Sequence, residues 1–99
     1  MADLNTDLRL AVDTGKVSLG SKETMQALAD NRAKIVVVPG KGNAKNIADI
    51  LHVCGVSDVK VIKFSGSALE LGTICGKPYP VSGLAVLEPG NSGILTNSY

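Results

Sequence analysis

The chain has almost no excess of charge: ten Lys and Arg stand against nine Asp and Glu, a formal net charge of +1. Bulk charge therefore names no partner, and a histone-like polycation and an acidic tail protein are both excluded. Long apolar runs are missing as well. Uninterrupted ones reach no further than stretches such as Ile35–Val38, far short of the roughly 20 residues needed to span a bilayer, so no membrane partner is expected. The start, Met1-Ala2-Asp3-Leu4, carries neither a basic n-region nor an apolar h-region and is not expected to act as a secretory signal. Cys54 and Cys75 are too few and too far apart for a disulfide scaffold or a structural zinc site. Each lies beside apolar residues in a helical pattern, which is the setting of a small buried hydrophobe. The only histidine, His52, precedes Cys54 by two residues, so the two fall on different helix faces and suit no common metal. Catalytic groups are equally sparse. There is no Gly-x-Ser-x-Gly elbow and no pair of acids sharing a helix face; Glu70 is committed to a helix cap, and Glu88 adjoins a Pro-Gly turn. Neither an enzyme nor a cofactor or metal is expected.

What is present is a globular pattern in 99 residues, of which 44% are hydrophobic, enough for one domain spanning residues 1–99. Leu4, Leu8, Ala11 and Val12 form one apolar stripe and predict a first helix, with Gly15 behind it. Lys16–Leu19 alternates like a short strand. Ser21 is placed to cap a second helix carrying Met25, Leu28 and Ala29 inward and ending near Asp30-Asn31. The β-branched run Ile35–Val38 is continuous rather than alternating, which predicts a strand covered on both faces. Gly40-Lys41-Gly42 then breaks the chain. Asn43 caps a third helix with Ile47, Ile50, Leu51 and Cys54 inward, and Val59–Phe64 follows as a strand. Ser67-x-x-Glu70 is a capping box, in which each residue satisfies an orphan N–H of the other. Leu71, Ile74 and Cys75 line the inner face of that helix and Gly76 ends it. Leu84–Leu87 is the last strand, and Ile94-Leu95 is read as one further extended contact. Strands alternating with helices imply an α/β layered domain with helices on both faces of one sheet.

Three stretches could meet a ligand. Gly40-Lys41-Gly42-Asn43, after a strand and before a helix, stands where α/β proteins bind phosphate. It lacks the hydroxyl of a Walker loop, and Lys45 stands where a dinucleotide fingerprint has its third glycine. A turn with a helix cap and a contact to a nucleic-acid backbone are both compatible with it. The segment from Thr14 to Lys45 carries six cations (Lys16, Lys22, Arg32, Lys34, Lys41, Lys45) against Glu23 and Asp30. Lys22 in the first turn of a helix opposes the dipole; it is either an ordinary exposed lysine or part of an anion site at the helix start. Tyr79, one of three aromatics, is held stiffly between Pro78 and Pro80. Its ring either packs on those prolines or stacks on an unpaired base, and Lys77 beside it could add a phosphate contact.

Beyond these local signals, Asp13-Thr14-Gly15-Lys16, Leu19-Gly20-Ser21-Lys22-x-Thr24, Glu70-Leu71-Gly72-Thr73-x-Cys75-Gly76-Lys77-Pro78, and Val86–Gly90 followed by Asn91-Ser92 and Ile94-Leu95 together carry a resemblance. The chain resembles, over essentially its whole length, the archaeal and eukaryotic large-subunit ribosomal protein thirty-e family, within the kink-turn RNA-binding superfamily that includes ribosomal protein seven-A-e. The resemblance implies a three-layer αβα sandwich around a four-stranded mixed sheet. It implies binding of a kink-turn, a sharply bent RNA with tandem sheared G·A pairs and an extruded nucleotide. By position, Gly20 allows close approach of the RNA, Lys22 meets the G·A region, Thr24 completes that motif, and Ser21 between them is counted among the RNA-binding residues. Tyr79 stands where relatives place an aromatic against the RNA, with Pro80, Val81 and Ser82 as the rest of the contact loop. Two positions depart from the family pattern. Lys41 takes the place of an Asn that hydrogen-bonds a base, with Asn43 two residues on, so Lys41 is expected to meet phosphate. Pro80 replaces a basic residue found in some relatives.

The implied protein is a non-catalytic constituent of the large ribosomal subunit, in the cytoplasm, partnered by ribosomal RNA and neighbouring large-subunit ribosomal proteins and monomeric when free. The rivals are a kink-turn-binding subunit of another ribonucleoprotein, such as a guide-RNA modification particle or ribonuclease P, and a small nucleotide-binding domain using Gly40–Asn43.

Overall fold

The computed structural model describes residues 4–41, 44–90 and 92–94. Its elements follow in the order α1 (Leu4–Thr14), β1 (Lys16–Leu19), α2 (Ser21–Ala29), β2 (Ile35–Lys41), α3 (Ala44–Ser57), β3 (Lys60–Ser67), α4 (Ala68–Ile74) and β4 (Leu84–Glu88). The strands form one sheet in the order β1-β4-β2-β3. β4 is antiparallel to both β1 and β2, while β3 runs parallel to β2. Thus β1, β2 and β3 all point one way and β4 alone is reversed, giving the mixed four-stranded sheet of an α/β sandwich.

The β-branched run of β2 explains the layers. Ile35 and Val37 join Leu8, Leu71, Val81, Leu84 and Val86 in one buried cluster. Val36 and Val38 point the other way, into a second cluster with Ala27, Leu28, Ile50 and Cys54. Consequently α1 and α4 cover one face and α2 and α3 the other. Each such side chain contributes about 1.5–3 kcal/mol through burial, so the central strand serves two cores at once. Both cysteines are buried. Burial pushes both thiols above their ordinary pKa; at Cys75 the charges of Lys77 and Arg9 act in the opposite direction.

Five local expectations are revised. On the second helix Ala29, expected inward, is exposed, and Ala27 and Thr24 are buried with Leu28 instead, because Thr24, Ala27 and Leu28, at i, i+3 and i+4, share the helix face that packs inward. The second helix begins with Ser21 as its first helical residue; Gly20 is the cap, at φ 102° and ψ 157°, with no side-chain cap bond. Glycine tolerates that conformation where serine would be strained. The second strand passes through the glycine break as far as Lys41, which pairs with Ser67 after an irregularity at Pro39. It can do so because β3 itself runs beyond Phe64 to Ser67 and offers a partner. In the capping box, the Ser67 hydroxyl accepts the Glu70 N–H at 3.2 Å, but the return arm joins that hydroxyl to the Glu70 carboxylate at 3.4 Å. Ile94 is fully buried but sits in a turn rather than an extended segment. Gly93 next to it donates its N–H to the carboxylate of Asp7 on α1 at 3.2 Å. Asn43 as a cap, and Leu95, lie outside the described residues.

No helix among the described residues is long and apolar enough to cross a membrane. Among the same residues, no group of His, Cys, Asp or Glu is arranged to hold a metal ion.

Candidate nucleic-acid interface

The strand directions decide where a ligand can meet this domain. The carboxyl ends of β1, β2 and β3 and the amino end of β4 share one edge of the sheet. The β1–α2 turn, the end of β2, the β3–α4 turn and the last residues of the α4–β4 loop therefore converge there. In α/β sheets this carboxyl edge is the usual ligand side, because helix N-termini open onto it.

One hydrogen bond ties the two principal parts together. The N–H of Gly20 donates to the carbonyl of Gly83 at 2.8 Å, fastening the start of α2 to the start of β4. The first helical bond of α2 runs from the Thr24 N–H to the Gly20 carbonyl at 3.0 Å. With no side chain capping the helix, the N–H groups of Ser21, Lys22 and Glu23 are the orphan donors of the first turn. Lys22 stands exposed among them, while the Glu23 carboxylate leans over Gly20. These are donors and a cation suited to phosphate or other acceptor groups. Thr24 behaves differently. It is 0% exposed, and its Oγ1 has no hydrogen-bond partner among the described residues.

The loop from Lys77 to Ser82 runs back along α4. The Lys77 N–H donates to the Gly72 carbonyl at 2.8 Å and the Val81 N–H to the Ala68 carbonyl at 2.9 Å. Gly72 and Ala68 are four residues apart, about 6 Å along a helix. Lys77 thus lies about one turn further from the sheet edge than Val81, close to Arg9 and Cys75, and the Tyr79 carbonyl meets the same turn of α4 at Gly72. Tyr79 is 49% exposed and Pro80 is exposed, so about half of Tyr79 is open to a ligand. Val81, placed in the contact loop by the resemblance, turns its side chain wholly into the core, where it anchors the loop. Ser82 is half-buried next to Gly83. Lys41 is exposed at the end of β2, opposite Ser67.

The fold also recruits residues that the sequence reading passed over. Asn46 and Asp49 of α3 join Ser21, Lys22 and Met25 of α2 around an open cleft of about 190 Å³. Their three-residue spacing puts both on one helix face. Which face turns toward α2 depends on helix packing, which spacing does not reveal.

These features define a class: a small α/β sandwich whose carboxyl edge presents backbone donors, lysines and a half-exposed tyrosine. Comparison with known proteins then narrows it. Residues 2–96 match the Ribosomal protein L7Ae/L30e/S12e/Gadd45 family, and the chain belongs to that family. It is similar to the large ribosomal subunit protein eL30 of Methanococcus vannielii, with 43% identity over 94% of this chain and 89% of the relative. The protein of the same name from Methanobrevibacter smithii is 38% identical over 96% of each chain. That from Methanocaldococcus jannaschii is 41% identical over 94% of this chain and 84% of the relative.

Proposed function

We propose that this chain is a non-catalytic structural constituent of the large ribosomal subunit that binds a kink-turn in ribosomal RNA. The observation that carries the reading is the Gly20–Gly83 hydrogen bond. It sets the uncapped start of α2, with Lys22, beside the root of the loop bearing Tyr79, in a chain of the family named above. An irregular bent RNA is recognised through shape, backbone contacts and unstacked bases rather than by groove reading. Orphan N–H groups and Lys22 serve the backbone on one side, and Tyr79 offers a stacking surface on the other. Lys41 adds a cation at the same sheet edge. A net charge of +1 is compatible with RNA binding because only the contacting face has to be complementary. Binding stabilises the kinked RNA only by its greater affinity for that form over the open one.

The test is a titration of labelled kink-turn RNA against a control whose tandem G·A pairs are replaced by Watson–Crick pairs, at fixed salt because affinity depends on it. Tight binding to the kink-turn and loss on the control is the expected result. Equal or negligible binding to both sinks the proposal.

A further inference from the structure

β3 is an edge strand. Among the described residues it has β2 on one side only, so alternate backbone N–H and C=O groups of Lys60–Ser67 face outward along its free side. The segment from Val59 to Ser67 contains Lys60 and Lys63 and no carboxylate. Both lysines are exposed. The two ion pairs found among the described residues join Arg9 to Asp13 and Arg32 to Asp30, so neither lysine of β3 is neutralised in this way. Because side chains alternate along a strand, the two lysines leave it on opposite faces. Lys63 lies opposite Val38, on the side of α2 and α3; Lys60 shares its side with Ile62 and Phe64. The cations therefore straddle a row of outward backbone groups.

This edge continues the interface described above. Lys41 pairs with Ser67, so the far end of β3 opens on the sheet edge that holds the start of α2. From Ser67 the strand leads away for roughly 26 Å, at about 3.3 Å per residue over its eight residues. A bent RNA seated on the carboxyl edge must send its helical arms away from the kink. We infer that the free edge of β3 holds the sugar–phosphate backbone of one such arm, with Lys63 and Lys60 as successive phosphate contacts and outward N–H groups between them. The inference rests on the kink-turn reading and adds a second contact surface to it. The bland alternative is that edge lysines only prevent strand pairing between copies of the chain.

The experiment uses two kinds of kink-turn RNA, one with both arms as short as still pair stably and the other with a single arm lengthened, each arm in turn. Both are titrated at several salt concentrations against the intact protein and the Lys60→Ala/Lys63→Ala double variant. Lengthening one particular arm should tighten binding by the intact protein. The double variant should lose that gain and lower the salt slope by about one for each lysine removed, while binding the short-armed RNA as before. Equal affinity of both proteins for both RNAs, or an equal loss on short and long arms, overturns the inference while leaving kink-turn binding intact. Self-association of the variant with unchanged RNA affinity overturns it in favour of the strand-blocking role. Failure of the intact protein to bind even the short-armed RNA would overturn the kink-turn reading itself.

Discussion

The carbonyl group of Tyr79 lies so close to Gly72 that a Cβ on that glycine would overlap it. In an exposed helix interior, replacing Gly by Ala stabilises by about 1 kcal/mol. At Gly72 the sign should reverse. The obstacle is backbone rather than the end of a flexible side chain, and Gly72 is buried within α4. Overpacking of this kind costs about 1–3 kcal/mol. Gly72→Ala should therefore lower the midpoint of urea unfolding and, by pushing the Tyr79 loop off α4, weaken kink-turn binding. A midpoint equal to or above that of the parent would show that the loop moves freely.

Lys22 and Tyr79 should fail in different ways. Lys22 is exposed and Tyr79 half-exposed, so Lys22→Ala should shift stability by no more than about 0.5 kcal/mol, and Tyr79→Ala should leave the chain folded. Lys22→Ala should weaken binding and reduce the salt slope by about one, since one fewer counterion is released. Tyr79→Ala should cost about 1–3 kcal/mol of binding with the slope unchanged, because stacking is lost and no charge is removed. Titrations at four or five salt concentrations separate the two. Matching slopes in both variants would remove Lys22 from the phosphate contacts.

The layers of this fold were legible because they depend on local pattern. Four consecutive β-branched residues, Ile35–Val38, require cover on both faces, and the apolar stripes of the helices supply it. The capping role of Ser67 was legible for the same reason. What escaped the sequence depends on partners distant along the chain. Ser21 is the better cap by residue type, yet the bond from Gly20 to Gly83 fixes a backbone angle that favours glycine. The extension of β2 to Lys41 rests on where β3 ends. That the loop from Lys77 to Val81 runs back along α4, fastened at Gly72 and Ala68, likewise rests on bonds to residues earlier in the chain. The Asn46 and Asp49 side of the cleft exists only through the packing of α2 on α3.

Thr24 carries a sharper consequence. Its hydroxyl is buried and unpartnered among the described residues, and an unsatisfied buried polar group costs about 1–3 kcal/mol. Valine removes the hydroxyl, keeps a β-branched shape and has a helix propensity similar to that of threonine. Thr24→Val should therefore raise stability by about 1 kcal/mol in denaturant unfolding. With 0% of the residue exposed, the side chain does not reach the surface, so kink-turn affinity should stay unchanged. A fall in affinity without loss of stability would mean that the start of α2 opens on binding and uses the hydroxyl.

The cysteines contribute to the alkaline limb of stability. Desolvation raises the pKa of Cys54, and it does so at Cys75 despite the opposing charges of Lys77 and Arg9. Below the ordinary thiol range, about pH 8.5, both folded and unfolded chains hold these protons and the cysteines add no pH dependence. Above it the unfolded chain releases them first and binds fewer protons than the folded chain. The free energy of unfolding therefore falls as pH rises toward the folded-state values. Urea midpoints measured between pH 7.5 and 9.5 should decline, and the decline should be shallower in Cys54→Ala, whatever the cavity costs at neutral pH. At pH 7.5 a disulfide reagent that detects free thiols should react with the folded protein only as fast as the chain opens, because both thiols are buried and protonated. Rapid labelling of the folded chain would show that one of them is open to solvent and would remove it from the account of the alkaline limb.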